Sequence, residues 1–137
     1  MRSTLLGMAI EYTTSLEGLE SDHLHGFFEG WPSLPSAEKH LEILRGSYRV
    51  VVAREDSSPN VVGFVNAISD GVLAAFVPLL EVLPSHRRRG IGTELVRRML
   101  DELSDLYSID LVCDAELRPF YERFGMQPLH AMALRRR

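Results

Sequence analysis

The clearest hydrophobic pattern in the chain is a helical stripe in its second half. Ile91, Leu95, Met99 and Leu103 recur every four residues, and charged side chains occupy the opposite face. A repeat of this kind is typical of an amphipathic helix that packs on a core by one face. Because Gly90 stands directly before the stripe, the pattern predicts a helix that begins there.

An almost wholly apolar run precedes this helix, from Val72 to Leu83, and Glu81 is its one charged residue. Apolar residues at consecutive positions predict a strand that is buried on both faces. Pro78 lies inside the run and cannot donate a hydrogen bond to a neighbouring strand. We therefore expect a bulge or a splayed neighbour at that point.

The first half of the chain carries shorter patterns. Ser36 is a suitable N-cap for a helix over residues 37–45, and residues 15–28 are weakly helical. Strand-favouring residues predict three strands, at residues 8–14, 48–54 and 61–69. The last two are joined by a short turn, so they form a hairpin that continues into the apolar run as an antiparallel meander.

Three further elements follow the stripe. Residues 109–113 predict a strand, and because a long helix precedes it, a parallel crossover beside the apolar run is the economical connection. A short helix should follow, with Asp114 as its cap, Pro119 in its first turn and Gly125 at its end. Residues 128–134 predict a last strand. The order of elements indicates an α+β fold with a mixed sheet.

Composition narrows the class of protein. The chain has 137 residues, 45% hydrophobic and 25% charged, which fits one globular domain over residues 1–137. It has no run long enough to span a bilayer and no signal-peptide pattern, and one cysteine, Cys113, suits the cytoplasm. A net charge of −4 argues against nucleic-acid binding. Three adjacent arginines, Arg87 to Arg89, are a local exception to this acidic balance.

The arginines belong to a loop, Arg87-x-x-Gly90-x-Gly92, between the apolar run and the helix. A helix N-terminus exposes unpaired N–H groups, and glycines without a Cβ let the backbone close on phosphate oxygens. No Gly-Lys-Ser/Thr follows at the P-loop spacing, and the third glycine of the dinucleotide fingerprint is missing. The competing interpretation is an ordinary helix start with solvated arginines.

These residues resemble the GCN5-related N-acetyltransferases, the GNAT family. Arg87, Gly90 and Gly92 match the family's acyl-CoA motif of Arg or Gln, two residues, Gly, one residue, and Gly or Ala. A second match, Pro-Phe-Tyr-Glu-Arg-Phe-Gly-Met, begins at Pro119 and is similar to the family's Phe-Tyr-x-x-x-Gly-Phe ending. The resemblance is close over residues 61–134, while the first 60 residues match only in outline.

The resemblance implies a GNAT-type fold: a mixed, mostly antiparallel sheet of about six or seven strands, splayed at the strand from Val72 to Leu83 and flanked by about four helices. It also implies acetyl-CoA as cosubstrate, without a metal. Backbone groups of Glu81, Val82 and Leu83 would bind the pantetheine. The pyrophosphate would lie against the loop, at Arg87, Arg88, Arg89, Gly90, Ile91, Gly92 and Thr93.

By the same resemblance, the reaction is acetyl transfer to a primary amine of a small molecule or a protein, through a tetrahedral intermediate. The Val82 N–H would stabilise its oxyanion, and Tyr121 would protonate the departing thiolate as general acid. The alternative for Tyr121 is a core tyrosine packed beside Phe120. Glu81 is the candidate base or amine ligand, because burial raises a carboxyl pKa. Asp114 is a second candidate base.

A different class of function also fits the loop, namely a non-catalytic acyl-CoA-binding regulatory module. In the family the acceptor is chosen largely by the first helices and their loop, here residues 15–35, which match least. The expected partners are therefore acetyl-CoA and an amine acceptor, with no nucleic acid and no membrane. A homodimer is compatible with the sequence, which does not decide the oligomeric state.

Overall fold

The computed structural model describes residues 9–136 and contains one five-stranded sheet with three α-helices. The elements, in chain order, are β1 (Ile10–Thr13), α1 (Ala37–Gly46), β2 (Arg49–Glu55), β3 (Val61–Ser69), β4 (Ala74–Val82), α2 (Ile91–Glu102), β5 (Ser108–Asp110) and α3 (Arg118–Glu122). Short 3-10 helices lie between them at Ser21–His23, Pro84–His86 and Ala115–Leu117. No helix in this part of the chain is long and apolar enough to cross a membrane.

The strands follow one another across the sheet in the order β1-β2-β3-β4-β5. The first four pair antiparallel, and β5 pairs parallel to β4 after the chain has crossed through α2. The predicted α+β fold, the meander and the parallel crossover are therefore confirmed. The number of strands differs slightly, since the described residues form five rather than six or seven.

The predicted strand over residues 128–134 is wrong and accounts for part of the difference in strand number. These residues form no helix, turn or strand, within residues 9–136 they pair with no strand, and all of them are exposed. An extended segment becomes a strand only when a neighbour satisfies its N–H and C=O groups. The alternation of apolar residues in this segment indicates strand propensity but supplies no partner.

The weakly helical prediction for residues 15–28 is also wrong. Only Ser21–His23 is helical, as a 3-10 turn, because Gly18 and Gly26 have φ angles of 78° and 93°, which an α-helix cannot contain. The segment nevertheless buries Leu19, Leu24, Phe27 and Phe28. Before it, β1 covers Ile10–Thr13 of the predicted first strand, and Met8 lies outside the described residues.

The sheet separates two apolar clusters, one on each of its faces. On the α1 face, Val50 and Val52 pack with α1 and the segment around Phe28. On the α2 face, Val51 and Ala53 pack with α2. Adjacent residues of β2 reach opposite clusters because side chains alternate across a strand. A strand that is buried on both faces therefore has apolar residues at consecutive positions in the sequence.

The stripe of α2 lies fully in the core, as predicted. Ile91, Leu95, Met99 and Leu103 are all 2% exposed or less. Gly63 on β3 allows this close packing, because a Cβ there would stand 3.1 Å from Leu95 Cδ1. The N-terminal turn of α2 is consequently held against the middle of the sheet, next to the end of β4.

Candidate active site

A gap opens in the sheet beside the second half of β4. Strand β5 pairs only with Ala74, Ala75 and Phe76, so within the described residues β4 has no neighbour on that side from Val77 onward. Across from β3, Ala67 faces two residues, Val77 and Pro78, because the register shifts there. The bulge predicted from Pro78 is confirmed. The expectation of complete burial is wrong, since β4 is only partly buried from Val77 to Val82.

The pairing with β3 determines which backbone groups of β4 face the gap. The Leu83 N–H donates to the Val62 carbonyl at 2.8 Å, and the Leu83 carbonyl accepts from the His86 N–H at 2.9 Å. Because N–H and C=O directions alternate along an antiparallel strand, the backbone of Glu81 also points toward β3. The Val82 and Leu80 groups point the opposite way, into the gap.

The three residues predicted to bind the pantetheine differ in the direction of their backbone groups. Val82 directs its N–H toward the gap, whereas the Leu83 N–H bonds to Val62 of β3 and the backbone of Glu81 points toward β3. Leu80, which the sequence analysis did not name, also directs its backbone groups toward the gap. The period of two along the strand could have identified it, once Val82 was known to face outward.

The predicted phosphate loop connects the end of β4 to α2. Arg88 and Gly90 have φ angles of 65° and 80°, and Gly90 is the N-cap of α2. Within residues 9–136, no side chain caps this helix, and its first internal bond is from the Glu94 N–H to the Gly90 carbonyl. The N–H groups at the start of α2 are therefore available to an anion.

Gly92 lies one turn into the same helix and does not have a positive φ. A Cβ there would make only ordinary contacts, 3.8 Å from Val82 and 4.0 Å from Phe120. Glycine is therefore suited to positions 90 and 92 for different reasons. Gly90 is required by the left-handed backbone conformation, and Gly92 leaves the surface between β4 and α3 without side-chain bulk.

All three arginines of the loop are exposed, and none forms an ion pair in the described part of the chain. The Arg87 Nε donates to the Val82 carbonyl at 3.2 Å, which ties the loop to the gap side of β4. Their positive charges add to the positive end of the α2 dipole. Exposed cations and free backbone donors therefore lie together at this loop, next to the gap.

His86, which the sequence analysis did not consider, anchors this loop. Its Nε2 contacts the carboxylate of Glu55 at the end of β2, and its Nδ1 lies 2.8 Å from Ser85 Oγ. The imidazole thus connects the segment before Arg87 to a strand two positions away in the sheet. No spacing rule in the sequence links Glu55 to His86, so only the fold could reveal the contact.

Glu81 lies on the α1 face of β4, opposite Phe64 of β3. Its Oε1 accepts a hydrogen bond of 2.9 Å from the Phe28 N–H. Burial raises the pKa of this carboxyl, and the Phe28 N–H and the Arg87 charge partly oppose the increase. Phe28 itself has a φ of 64°, an unfavourable conformation for an aromatic residue. Trp31 packs on the Phe28 ring and remains 44% exposed.

Tyr121 lies on α3 and lines an apolar cleft on the α2 face, next to the gap. Burial raises the pKa of its hydroxyl, with a smaller contribution from Cys113. The cleft is formed by β3, β4, α2, β5 and the end of α3, through Val65, Val77, Leu80, Val96, Met99, Leu100, Ile109, Leu111 and Met126. Asp114, the second candidate base, is exposed.

The two predicted catalytic residues therefore lie on opposite sides of β4. Glu81 packs with the α1 face, and Tyr121 packs beside Leu80 on the α2 face. A molecule extended through the gap would pass between the two faces. A base and an acid on opposite sides of a reacting group suit a transfer in which one side receives a proton and the other provides one.

A protein-family model for the acetyltransferase (GNAT) family matches residues 16–126. The chain belongs to this family. A region of 71 residues is 41% identical to GCN5-related N-acetyltransferase 3, chloroplastic, of Arabidopsis thaliana. That match covers 50% of this chain and 30% of the plant protein. The chain thus matches less than a third of the length of the plant protein.

Solved structures show the same GNAT fold. A crystal structure from Deinococcus radiodurans R1, described as a candidate acetyltransferase, is 51% identical and superimposes with a TM-score of 0.89. That match covers 93% of this chain and 88% of the other. An aminoglycoside N-acetyltransferase in complex with CoA is 17% identical, with a TM-score of 0.66 and 96% of both chains covered. At that identity the likeness concerns the fold alone.

Proposed function

We propose that this GNAT family member is an N-acetyltransferase that moves an acetyl group from acetyl-CoA to a primary amine. One observation carries the proposal: the gap beside β4 leads directly to an uncapped helix N-terminus with three exposed arginines. An extended chain with a pyrophosphate at one end fits both parts. Acetyl-CoA has that shape and charge.

The coenzyme would be held mainly by backbone groups. The N–H groups at the start of α2, at Ile91, Gly92 and Thr93, would bind the pyrophosphate, with one of the arginines Arg87, Arg88 and Arg89 on a further phosphate. The gap-facing groups of Val82 and Leu80 would bind the pantetheine amides as an added strand would. The Val82 carbonyl already accepts from Arg87, so its N–H is the free partner.

Acetyl transfer requires a neutral amine, because an ammonium has no lone pair with which to attack the thioester carbon. Glu81 would accept the amine proton, and its raised pKa makes it a better base than an ordinary carboxylate. A carbon–nitrogen bond then forms, and the negative charge on the former carbonyl oxygen is stabilised by the Val82 N–H. The carbon–sulfur bond breaks when this intermediate collapses.

Tyr121 would give its proton to the sulfur that leaves. Burial keeps the Tyr121 hydroxyl protonated at neutral pH, so the proton is present when it is needed. The same apolar cleft would raise the pKa of a thiol within it, so the departing sulfur would take up a proton more readily. The Tyr121 oxygen recovers a proton from solvent after the thiol departs.

The acceptor would approach from the α1 face, where Glu81 meets the irregular segment around Phe28. An exposed Trp31 ring and a single half-buried carboxylate favour an amine that carries an apolar or aromatic group. The segment is not regular secondary structure, so it can differ between relatives without disturbing the sheet. This location supports a role for residues 15–35 in choosing the acceptor.

The test combines binding and turnover. Acetyl-CoA should raise the melting temperature of the protein, whereas ATP and NAD should not, because only acetyl-CoA fills both the loop and the gap. Free thiol should then be released from acetyl-CoA when primary amines of increasing apolar character are added. Binding of acetyl-CoA without thiol release on any amine would support the non-catalytic acyl-CoA-binding module, and stabilisation by ATP would contradict the coenzyme site.

A further inference from the structure

An apolar strip lies exposed on the α1 face of the sheet, at the end away from the phosphate loop. Phe76 of β4 pairs with Ile68 of β3, and their side chains are 41% and 56% exposed. Ala75, the neighbour of Phe76, belongs to the cluster on the α2 face, so Phe76 and its partner point to the α1 face. Leu79 packs with the cluster on the α1 face and continues the strip toward Glu81.

The apolar strip is continuous with the candidate acceptor site. Glu81 lies on the same face of β4, five residues beyond Phe76, which corresponds to roughly 15 Å along an extended strand. The pairing of β4 with β5 ends at Phe76, so the strip extends beside the gap from its closed end. A molecule whose amine reaches Glu81 from the α1 face can therefore place the rest of its length on Leu79, Phe76 and Ile68.

The charges on this part of the sheet favour a cationic molecule. In the described sheet, the positions of β3, β4 and β5 that point to the α1 face include two carboxylates, Glu81 and Asp110, and no cation. Asp110 is exposed beside Phe76, and its Oδ1 accepts a hydrogen bond of 3.4 Å from the Ser108 hydroxyl. An ammonium group that approaches Glu81 along the strip is therefore attracted at both ends.

The exposure of the apolar strip favours a polypeptide over a small molecule. Sites for small molecules are usually concave and enclose most of the ligand, whereas Ile68 and Phe76 lie on the open surface of the sheet. Exposed apolar surface of this kind is typical of sites for proteins and peptides. In an extended peptide, alternate side chains point to the same side and repeat about every 7 Å. With a terminal amine at Glu81, the third and fifth residues would lie over Leu79 and Phe76.

We propose that the acceptor is the N-terminal α-amine of a polypeptide whose third and fifth residues are apolar and bind the strip of Leu79, Phe76 and Ile68. This inference rests on the proposed acetyl transfer and adds the class of acceptor. An α-amine suits a single carboxylate base, because its pKa of about 8 leaves far more neutral amine at pH 7 than the pKa of about 10.4 of a lysine side chain.

The reaction at an α-amine balances with the groups already described. The ammonium loses one proton through Glu81 to solvent before its nitrogen bonds to the acetyl carbon. The nitrogen loses a second proton when the carbon–sulfur bond breaks, and the departing thiolate gains one from Tyr121, which solvent restores. The products are an N-acetylated peptide and CoA with a free thiol.

Thiol release from acetyl-CoA with matched peptides tests the class of acceptor. Two six-residue peptides with free α-amines would differ only in having leucine or serine at the third and fifth positions. The leucine peptide should have a kcat/KM at least about tenfold higher, because two apolar side chains leave water on the strip. Changing Phe76→Gln together with Ile68→Gln should bring the ratio of the two kcat/KM values to about one, mainly through KM.

The matched control is Leu73→Gln with Tyr107→Gln, two residues that are 60% and 87% exposed and lie just before β4 and β5, outside the strip. This control should keep the preference for the leucine peptide. An equal loss of preference in both variants would overturn the inference, and so would the absence of a preference in the original protein. Circular dichroism and the thermal shift with acetyl-CoA verify that each variant is folded and binds the coenzyme.

Two further arms separate a failure of this inference from a failure of the proposed function. Thiol release with small amines but with neither peptide would overturn the polypeptide acceptor and leave acetyl transfer to amines supported. Acetylation of a lysine in an N-terminally blocked peptide, without acetylation of the free α-amine, would overturn the choice of amine, and mass spectrometry locates the acetyl group. The absence of thiol release with every amine would contradict the proposed function and, with it, this inference.

Discussion

The two faces of β4 make their contributions to the candidate site in different ways. The α2 face and the gap are formed by regular elements: a strand with two outward backbone groups, the start of α2, and Tyr121 on α3. The α1 face depends on one carboxylate, Glu81, held by a strained residue in an irregular segment. Regular elements hold their backbone groups in place whatever their side chains are, so the α2 face and the gap suit a cosubstrate that does not vary. The irregular segment on the α1 face suits an acceptor that can differ between relatives.

If Tyr121 is the acid, removing its hydroxyl should have the largest effect on activity. Tyr121→Phe should lower kcat by about 100- to 10,000-fold, the usual contribution of general acid catalysis. The affinity for acetyl-CoA should stay within about twofold, because the coenzyme is held by the loop and β4. Stopped assays of thiol release and a thermal-shift titration measure the two quantities.

The matched control for Tyr121 is Tyr107→Phe, which removes the same hydroxyl from a side chain that is 87% exposed. It should leave kcat unchanged. An unaltered kcat in Tyr121→Phe would return Tyr121 to the role of a core tyrosine packed beside Phe120.

On the other face, Glu81→Gln should reduce kcat/KM by about 10- to 100-fold, less than the tyrosine change because water can partly replace a base. The amide oxygen of glutamine still accepts the Phe28 N–H, so the segment should stay in place. The unchanged enzyme should lose activity as the pH falls through the raised pKa of Glu81, which lies above 4.5. A pH profile of the variant should lack this acidic limb.

The pH dependence of stability tests the raised pKa of Glu81 without an activity assay. Because its folded pKa is raised, Glu81 stabilises the protein below pH 4.5, and this contribution is lost as the pH rises through the folded pKa. Glutamine resembles the protonated form. The variant should therefore gain stability relative to the original protein between pH 4 and pH 7, as followed by urea unfolding. A constant difference across this range would show that Glu81 is not buried as described.

The contrast between the faces also explains what the sequence could predict. The stripe of α2, the helix start at Gly90 and the Pro78 bulge each depend on residues close together in the chain, and each is confirmed in the structure. The fold class and the family followed from the same local patterns. Tyr121 could be named as a candidate because its motif is local, although its role stays a prediction.

Contacts between distant residues could not be predicted in this way. The hydrogen bond from Phe28 to Glu81 spans 53 positions, and the pairing of Glu55 with His86 spans 31. Neither leaves a period or a spacing in the sequence. The outward direction of Val82 and Leu80 depends on the bulge and the register, which local propensity does not determine. The strand predicted over residues 128–134 is wrong for a different reason. Its local pattern favours a strand, but within residues 9–136 no neighbouring strand pairs with it.

The α1 face contains a second buried titratable group, His40 of α1. It is 1% exposed, its ring centroid lies 4.4 Å from that of Phe64, and within residues 9–136 neither ring nitrogen has a hydrogen-bond partner. Burial lowers the pKa of His40 from 6.5 to about 4. The unfolded chain therefore binds a proton at a pH where the folded protein does not, and stability falls as the pH drops below 6.5.

Removing the imidazole of His40 should make the stability of the protein less sensitive to acid. His40→Leu should gain about 2 kcal/mol relative to the original protein when the pH is lowered from 7 to 5, the difference expected from the two pKa values. Urea unfolding at both pH values measures it. His25→Leu, at an exposed histidine, is the control and should show no comparable gain. An equal gain in both variants would contradict the buried, neutral state of His40.

The smallest expected effect tests the backbone of the phosphate loop. Gly90→Ala adds only a methyl group, and no atom lies within 4 Å of its position, but the φ of 80° is unfavourable for alanine by roughly 1–2 kcal/mol. The loop should relax away from this conformation, and acetyl-CoA binding should weaken by about tenfold, with kcat at saturation nearly unchanged. Gly46→Ala is the matched control, because Gly46 also has open space around it but does not have a positive φ, and it lies at the end of α1.

If both variants bind acetyl-CoA as the original protein does, the left-handed glycine is not part of the coenzyme site. If only Gly90→Ala is impaired, the face built from regular elements depends on backbone conformation rather than on side-chain chemistry.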